Sequence, residues 1–173
     1  MEVKVVRSDR RQKTISARFA EDTMYINVPV NISEVRLKEI ISNFKKRFER
    51  RKLKKELNAK QDLRNIVERL NEKYFGSRLK VNKIEYVTDQ YKKFGCCNYK
   101  SKTIRISHRL LEMSPWVRDY VVFHEMAHII EPNHSRAFWK IIFRYRLAER
   151  ARGYLMAKGF ETERESDVEN NNT

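Results

Sequence analysis

The sequence predicts an α+β fold in one domain. Three observations carry this. Short runs of β-branched and aromatic residues open the chain and recur in its middle. Between and after them lie segments whose apolar residues repeat at i, i+3, i+4 and i+7. The length of 173 residues suits one compact domain and leaves no room for a second large one.

Taken in order, residues 3–7, 14–19 and 24–30 read as strands separated by polar, turn-like stretches, which predicts an antiparallel meander over residues 1–30. Ser33 can cap a helix that carries Leu37, Ile40, Ile41 and Phe44 on one face and runs past Leu57. A second helix over residues 61–75 shows Leu63, Ile66, Val67, Leu70 and Tyr74 at the same spacing, and Gly76 ends it. Residues 81–87, 93–97 and 103–107 then read as a second antiparallel group, with 98–102 as a hairpin turn. Ser114-Pro115 is a helix start, with Ser as cap and Pro at the first helical position. That helix extends to about Ile130 and is stopped by Pro132. Ser135 can cap one long last helix that continues through Phe138, Trp139, Ile142, Tyr145 and Leu155 to Gly159. The domain is thus read as residues 1–160: a meander over 1–30, a basic helical segment over 33–75, and a core over 81–158. The acidic tail, residues 161–173, reads as disordered.

Charge is distributed unevenly. The net charge is +15, and residues 36–60 alone hold 11 Lys and Arg against three Glu, a local +8. Such a field favours anionic partners, nucleic acid among them, although a charge run on a helix is also what a solvated face looks like. Aromatic interleaving there is limited to Phe44 and Phe48, and no known nucleic-acid motif is present. No stretch approaches the roughly 18 to 20 apolar residues of a membrane-spanning helix. Met1-Glu2-Val3-Lys4-Val5 has no signal-peptide character, so the expected location is the cytoplasm. The two cysteines, Cys96 and Cys97, are sequence neighbours, which rarely bond each other and which fit a reducing compartment.

The chemistry concentrates in one place. Of four histidines, His124, His128 and His134 fall within eleven residues around Glu125, while His108 stands apart. Residues four apart share a helix face, so His124 and His128 can aim at one ion, and Glu125 beside them can reach a water rather than the metal. Catalytic zinc takes three protein ligands and keeps one position open. His134 can be the third if the chain reverses after His128. Pro132 cannot continue the helix, and Asn133 tolerates the left-handed conformation such a reversal can use. The expected centre is therefore Zn2+ on His124, His128 and His134, with Glu125 as general base.

The stretch Asp119-Tyr120-Val121-Val122-Phe123-His124-Glu125-Met126-Ala127-His128, followed by Asn133-His134-Ser135 and Phe138-Trp139, resembles the YgjP-like metallopeptidase family, a zincin group. Phe94-Gly95-Cys96-Cys97 resembles that family's Trp-Gly-Ser-Cys strand, with Phe94 in place of Trp and Cys96 in place of Ser. Ile26-Asn27-Val28-Pro29 is similar to its N-terminal region. The resemblance runs from about residue 3 to 158. It implies a zincin-like α+β metallopeptidase fold, zinc on the three histidines, Glu125 as base, and a protein or peptide substrate. Family members also carry a nucleotide pyrophosphatase label, so metal-dependent hydrolysis of nucleoside triphosphates is the alternative reaction. No Gly-rich phosphate loop is present to favour it.

Other residues are read structurally. One of the two cysteines is expected to pack as a small hydrophobe. His108 is expected at a helix entry or on the surface, and Tyr120 in the core. Phe138 and Trp139 should pack the last helix against the metal helix. Asp119, Glu131 and Glu149 are all candidates for the carboxylate that orients a metal-bound histidine.

Overall fold

The computed structural model describes residues 2–20, 23–60, 62–90 and 92–158. The expected tail over 161–173 lies outside them. The described residues fall into two compact units, Met1–Lys52 and a second that begins at Leu53. The boundary lies within the helix α1, Glu34–Ala59.

In the first unit, β1 (Glu2–Ser8), β2 (Ser16–Ala20) and β3 (Thr23–Pro29) form a sheet of order β1-β3-β2. The expected meander is corrected here: β2 pairs antiparallel with β3, but β1 pairs with it in parallel, Val5 opposite Ile26. The residue pattern explains why β3 takes the centre. Met24, Ile26 and Val28 alternate strictly and are fully buried, whereas most of β1 and β2 is exposed. Leu37 of α1 closes over those three side chains, with Ile41 and Phe44 partly buried beside it. Each fully buried aliphatic side chain contributes about 1.5–3 kcal/mol. The Ser33 cap forms as expected, its Oγ accepting the Arg36 N–H at 3.4 Å.

The second unit holds the remaining core. The end of α1 is tied to β4 (Lys83–Val87) by Asn58, whose amide donates to the Tyr86 carbonyl at 3.0 Å and accepts the Tyr86 N–H at 2.8 Å. Helix α2 (Asp62–Phe75) buries Leu63, Ile66, Val67, Leu70 and Tyr74, the expected face, and stops at Gly76, whose φ of 58° is left-handed. Strands β4, β5 (Gly95–Asn98) and β6 (Thr103–Ser107) form a sheet of order β4-β6-β5. The β5–β6 hairpin is antiparallel as expected, but β4 pairs with β6 in parallel, a second correction. The next strand in the chain, β5, takes the far edge, and β6 returns between it and β4. The central position goes again to the most buried strand, with Ile104 and Ile106 at zero exposure.

A 3-10 turn, His108–Glu112, leads into α3 (Pro115–Ala127). Pro115 stands at the helix start, and Ser114 caps by position without a side-chain hydrogen bond. The one long C-terminal helix expected from the sequence is two helices, α4 (Arg136–Ile142) and α5 (Ala148–Ala157). The break is made by tight i to i+3 bonds, Arg144 N–H to Ile141 O and Tyr145 N–H to Ile142 O. It turns the Tyr145 ring into the core, where its hydroxyl donates to the Trp116 carbonyl at 2.9 Å. Buried surface outweighs helix continuity there. No helix among the described residues is long and apolar enough to cross a membrane.

Candidate metal centre

Helix α3 presents Val117, Tyr120, Val121, Phe123 and Met126 to the core, and on the same helix the polar residues His124, Glu125 and His128 are brought inward. Glu125 is 3% exposed and His128 7%. Regular helix ends at Ala127, three residues short of the expected Ile130, and His128 remains in helical conformation as its cap. Successive short-range bonds then reverse the chain: Ile129 N–H to Met126 O, Ile130 N–H to Ala127 O, and Ser135 N–H to Asn133 O at 2.8 Å. The reversal uses no left-handed residue. Asn133 is not among the described positions with positive φ, so the role expected for it is taken by these turns and by Pro132.

The reversal brings His134 back over α3. Each of His124, His128 and His134 offers one ligand atom, and the three atoms lie within 4.8 Å of one another. The Nε2 atoms of His124 and His134 are 3.1 Å apart. Zinc–nitrogen bonds of about 2.0–2.1 Å at tetrahedral angles would separate two ligands by roughly 3.3 Å, so the spacing of this pair suits two ligands of one metal ion of that size. His128 is also oriented for the task. Its Nδ1 lies 3.2 Å from the Glu131 carbonyl, to which it donates, and this leaves Nε2 as the nitrogen with a lone pair to offer. Among the described residues this is the cluster of three that can hold an ion.

The three imidazoles share a platform. Phe138 is fully buried and its ring centre is 4.5 Å from His128, 4.9 Å from His124 and 4.7 Å from His134. Trp139 stacks on His134 at 5.7 Å. Both are delivered by the start of α4, where Ser135 Oγ accepts the Phe138 N–H at 3.2 Å, the cap expected from the sequence.

The three carboxylate candidates separate. Asp119 is bound by Arg69 at 2.8 Å and Glu149 by Arg152 at 2.8 Å, so both serve ion pairs. Glu131 orients His128, but through its backbone carbonyl; its carboxylate accepts from Ser135 Oγ at 3.4 Å. His108 sits at the start of the 3-10 turn beside the Val87 carbonyl, outside the centre. Tyr120 is buried with its ring 6.0 Å from that of His124. Cys96 and Cys97 are unbridged, and Cys97 packs on the core.

One neighbour of the centre escapes periodicity altogether. Gly95, at the start of β5, lies so close to Glu125 that a Cβ placed on it would stand 2.6 Å from Oε1, 2.8 Å from Cγ and 2.9 Å from Cδ. A glycine inside a strand is a signal of close approach, and that is the signal that points to it.

No curated protein matches the chain. Among solved structures, the metallopeptidase zymogen abylysin of Pyrococcus abyssi aligns at 20% identity with a TM-score of 0.48, over 56% of this chain and 93% of that one. The YgjP-like metallopeptidase domain matches residues 51–146, a span that runs from the end of α1 through His124, Glu125, His128 and His134 to the turn after α4. That span is more than half of the chain, and the chain therefore belongs to the YgjP-like metallopeptidase family.

Proposed function

We propose that the protein is a zinc-dependent peptidase in which His124, His128 and His134 hold the ion and Glu125 is the general base. The observation that carries this reading is the convergence of three imidazole ligand atoms within 4.8 Å, with the buried Glu125 carboxylate on the helix that bears His124. When bound, zinc would lower the pKa of a water and polarise a carbonyl. Glu125 accepts the proton of the attacking water and returns it to the leaving amine, so that one carboxylate serves both halves of amide cleavage. His128, held by the Glu131 carbonyl, keeps its Nε2 lone pair turned inward. Phe138 excludes water from behind the three rings. The substrate class is an unstructured protein or peptide segment, and the cytoplasm is the location we assign.

The test compares wild type with Glu125→Gln and His128→Ala for metal content and for turnover of casein-like peptides and UTP side by side. Glu125→Gln is expected to retain zinc and lose peptide hydrolysis by about 100-fold or more, the size of a general-base contribution. His128→Ala is expected to lose both. Normal peptide turnover by Glu125→Gln would remove Glu125 from its role. Loss of UTP hydrolysis alone would assign the reaction to nucleotides.

A second reading concerns partners. In α1, Lys46, Arg47, Arg51 and Lys52 are all exposed, and Arg47 and Arg51 stand at i, i+4, where like charges repel. A nucleic acid laid along this helix would relieve that repulsion. Binding should weaken with salt at a slope set by the number of phosphates neutralised. A flat response between low and moderate salt would dismiss it.

A further inference from the structure

We propose that Gly95 is the positioning residue for Glu125: its missing side chain makes the space in which the carboxylate stands. The inference rests on the reading of Glu125 as base and adds a residue that acts through it.

Of the glycines in described segments, Gly76 answers a conformational need, with φ at 58°, and Gly153 faces open space. Gly95 does neither. Its backbone is outside the left-handed region, so conformation does not bar a side chain there. The nearest atoms to an added Cβ are Oε1, Cγ and Cδ of that one side chain, all under 3.0 Å. Carbon atoms rest about 3.5–4.0 Å apart, so the carboxylate would have to retreat by roughly 1 Å.

The backbone cannot retreat instead. Gly95 is paired to Ile106 in the β5–β6 ladder. The Phe94 carbonyl before it accepts the Ser107 N–H at 2.7 Å. Cys96 after it accepts from the Gln90 amide at 3.0 Å, and Gln90 is itself held by Ser107 Oγ at 3.2 Å. On the other side, α3 is fixed by its buried face. The yielding part is the Glu125 side chain from Cγ outward, which can change rotamer without moving either backbone. A methyl group at this position should therefore spare folding and metal binding while moving the base. A displacement near 1 Å costs about 100-fold in rate.

The experiment uses zinc-loaded wild type, Gly95→Ala, Glu125→Asp, the double variant and Glu125→Gln. It reads kcat and KM on a casein-like peptide, zinc affinity by competition with a chromophoric chelator, the melting temperature, and crystal structures of wild type and Gly95→Ala. Gly95→Ala is expected to lower kcat about 100-fold with KM and zinc affinity within about twofold of wild type, and to shift the carboxylate. Glu125→Asp, one methylene shorter, is expected to cost less on top of Gly95→Ala than by itself, because Oε1, the nearest of the three crowding atoms, is withdrawn by one bond. An unmoved carboxylate, an unchanged kcat, two losses that simply multiply, or a kcat that falls only in step with zinc affinity and melting temperature would each overturn the inference. If Glu125→Gln stays active, the base assignment is what fails. If Glu125→Gln is inactive while Gly95→Ala turns over normally, the Gly95 inference fails alone.

Discussion

Phe138 touches all three imidazoles, which gives one apolar side chain control over three ligand orientations. Phe138→Leu keeps the site dry but removes the stacked ring on His128. Zinc affinity should fall about 10-fold or more, the effect of loosening a ligand's support, and isothermal titration with zinc checks it. Cys96 reports on the same neighbourhood. Burial, and after it the negative charge of Glu125, push its thiol up, against the Gln90 hydrogen bond and the charges of Arg105 and Lys93. Only the thiolate reacts. In a Cys97→Ala background, Cys96 should therefore alkylate slowly near pH 8, and Glu125→Gln should speed the reaction by removing one upward cause. An unaltered rate would mean that Cys96 does not feel the Glu125 charge. That His124 and His128 share one face was legible from spacing, since i and i+4 on a helix need no tertiary information. Glu131 was legible as a neighbour but not in its role, because backbone carbonyls carry no residue signature.

Among the elements, the helices followed their apolar periodicity where it was strong. Leu63, Ile66, Val67, Leu70 and Tyr74 marked α2 along most of its length. The periodicity across α4 and α5 continued through residues 143–147, where the structure instead has tight turns and a buried Tyr145. The end of α1 shows how a sheet edge fastens a charged helix. Glu85 of β4 receives Lys83 at 3.1 Å and Lys54 of α1 at 3.2 Å. Burial works to raise its carboxyl, but the hydrogen bonds and charges of the two lysines outweigh it and hold it below the ordinary 4.5. A depressed carboxyl contributes stability that is complete above its unfolded value and is lost as pH falls through the folded one. Glu85→Gln should therefore cost about 0.5–1 kcal/mol near pH 7 and nothing near pH 2, by denaturant melts at both. An equal cost at both pH values would assign the effect to packing.

For the whole molecule, metal and fold should be linked. His124, His128 and His134, which could hold an ion, come from α3, its cap and the reversal before α4, so an ion that bound them only in the folded chain would stabilise the unit that begins at Leu53. At 100 times the dissociation constant that linkage amounts to about 2.7 kcal/mol. Chelation should lower the melting temperature by roughly 5–15 °C. Glu125→Gln should show the same drop and His128→Ala almost none, as followed by calorimetry. A melting temperature indifferent to chelator in wild type would argue against a structural contribution from the ion.

The chain's own order of residues was enough to determine the α+β class, the helix that carries His124 and Glu125, and the chain reversal that follows it, because periodicity and turn residues are local signals. Strand order was decided elsewhere. Both sheets place their last strand at the centre, and the rivalry of three strands for the most buried position is a long-range matter that alternation within one strand does not express. The same holds for Gly95 and Glu125. They are thirty residues apart, and nothing local couples them. Only the packing of β5 against α3 turns an absent side chain into the space that Glu125 occupies.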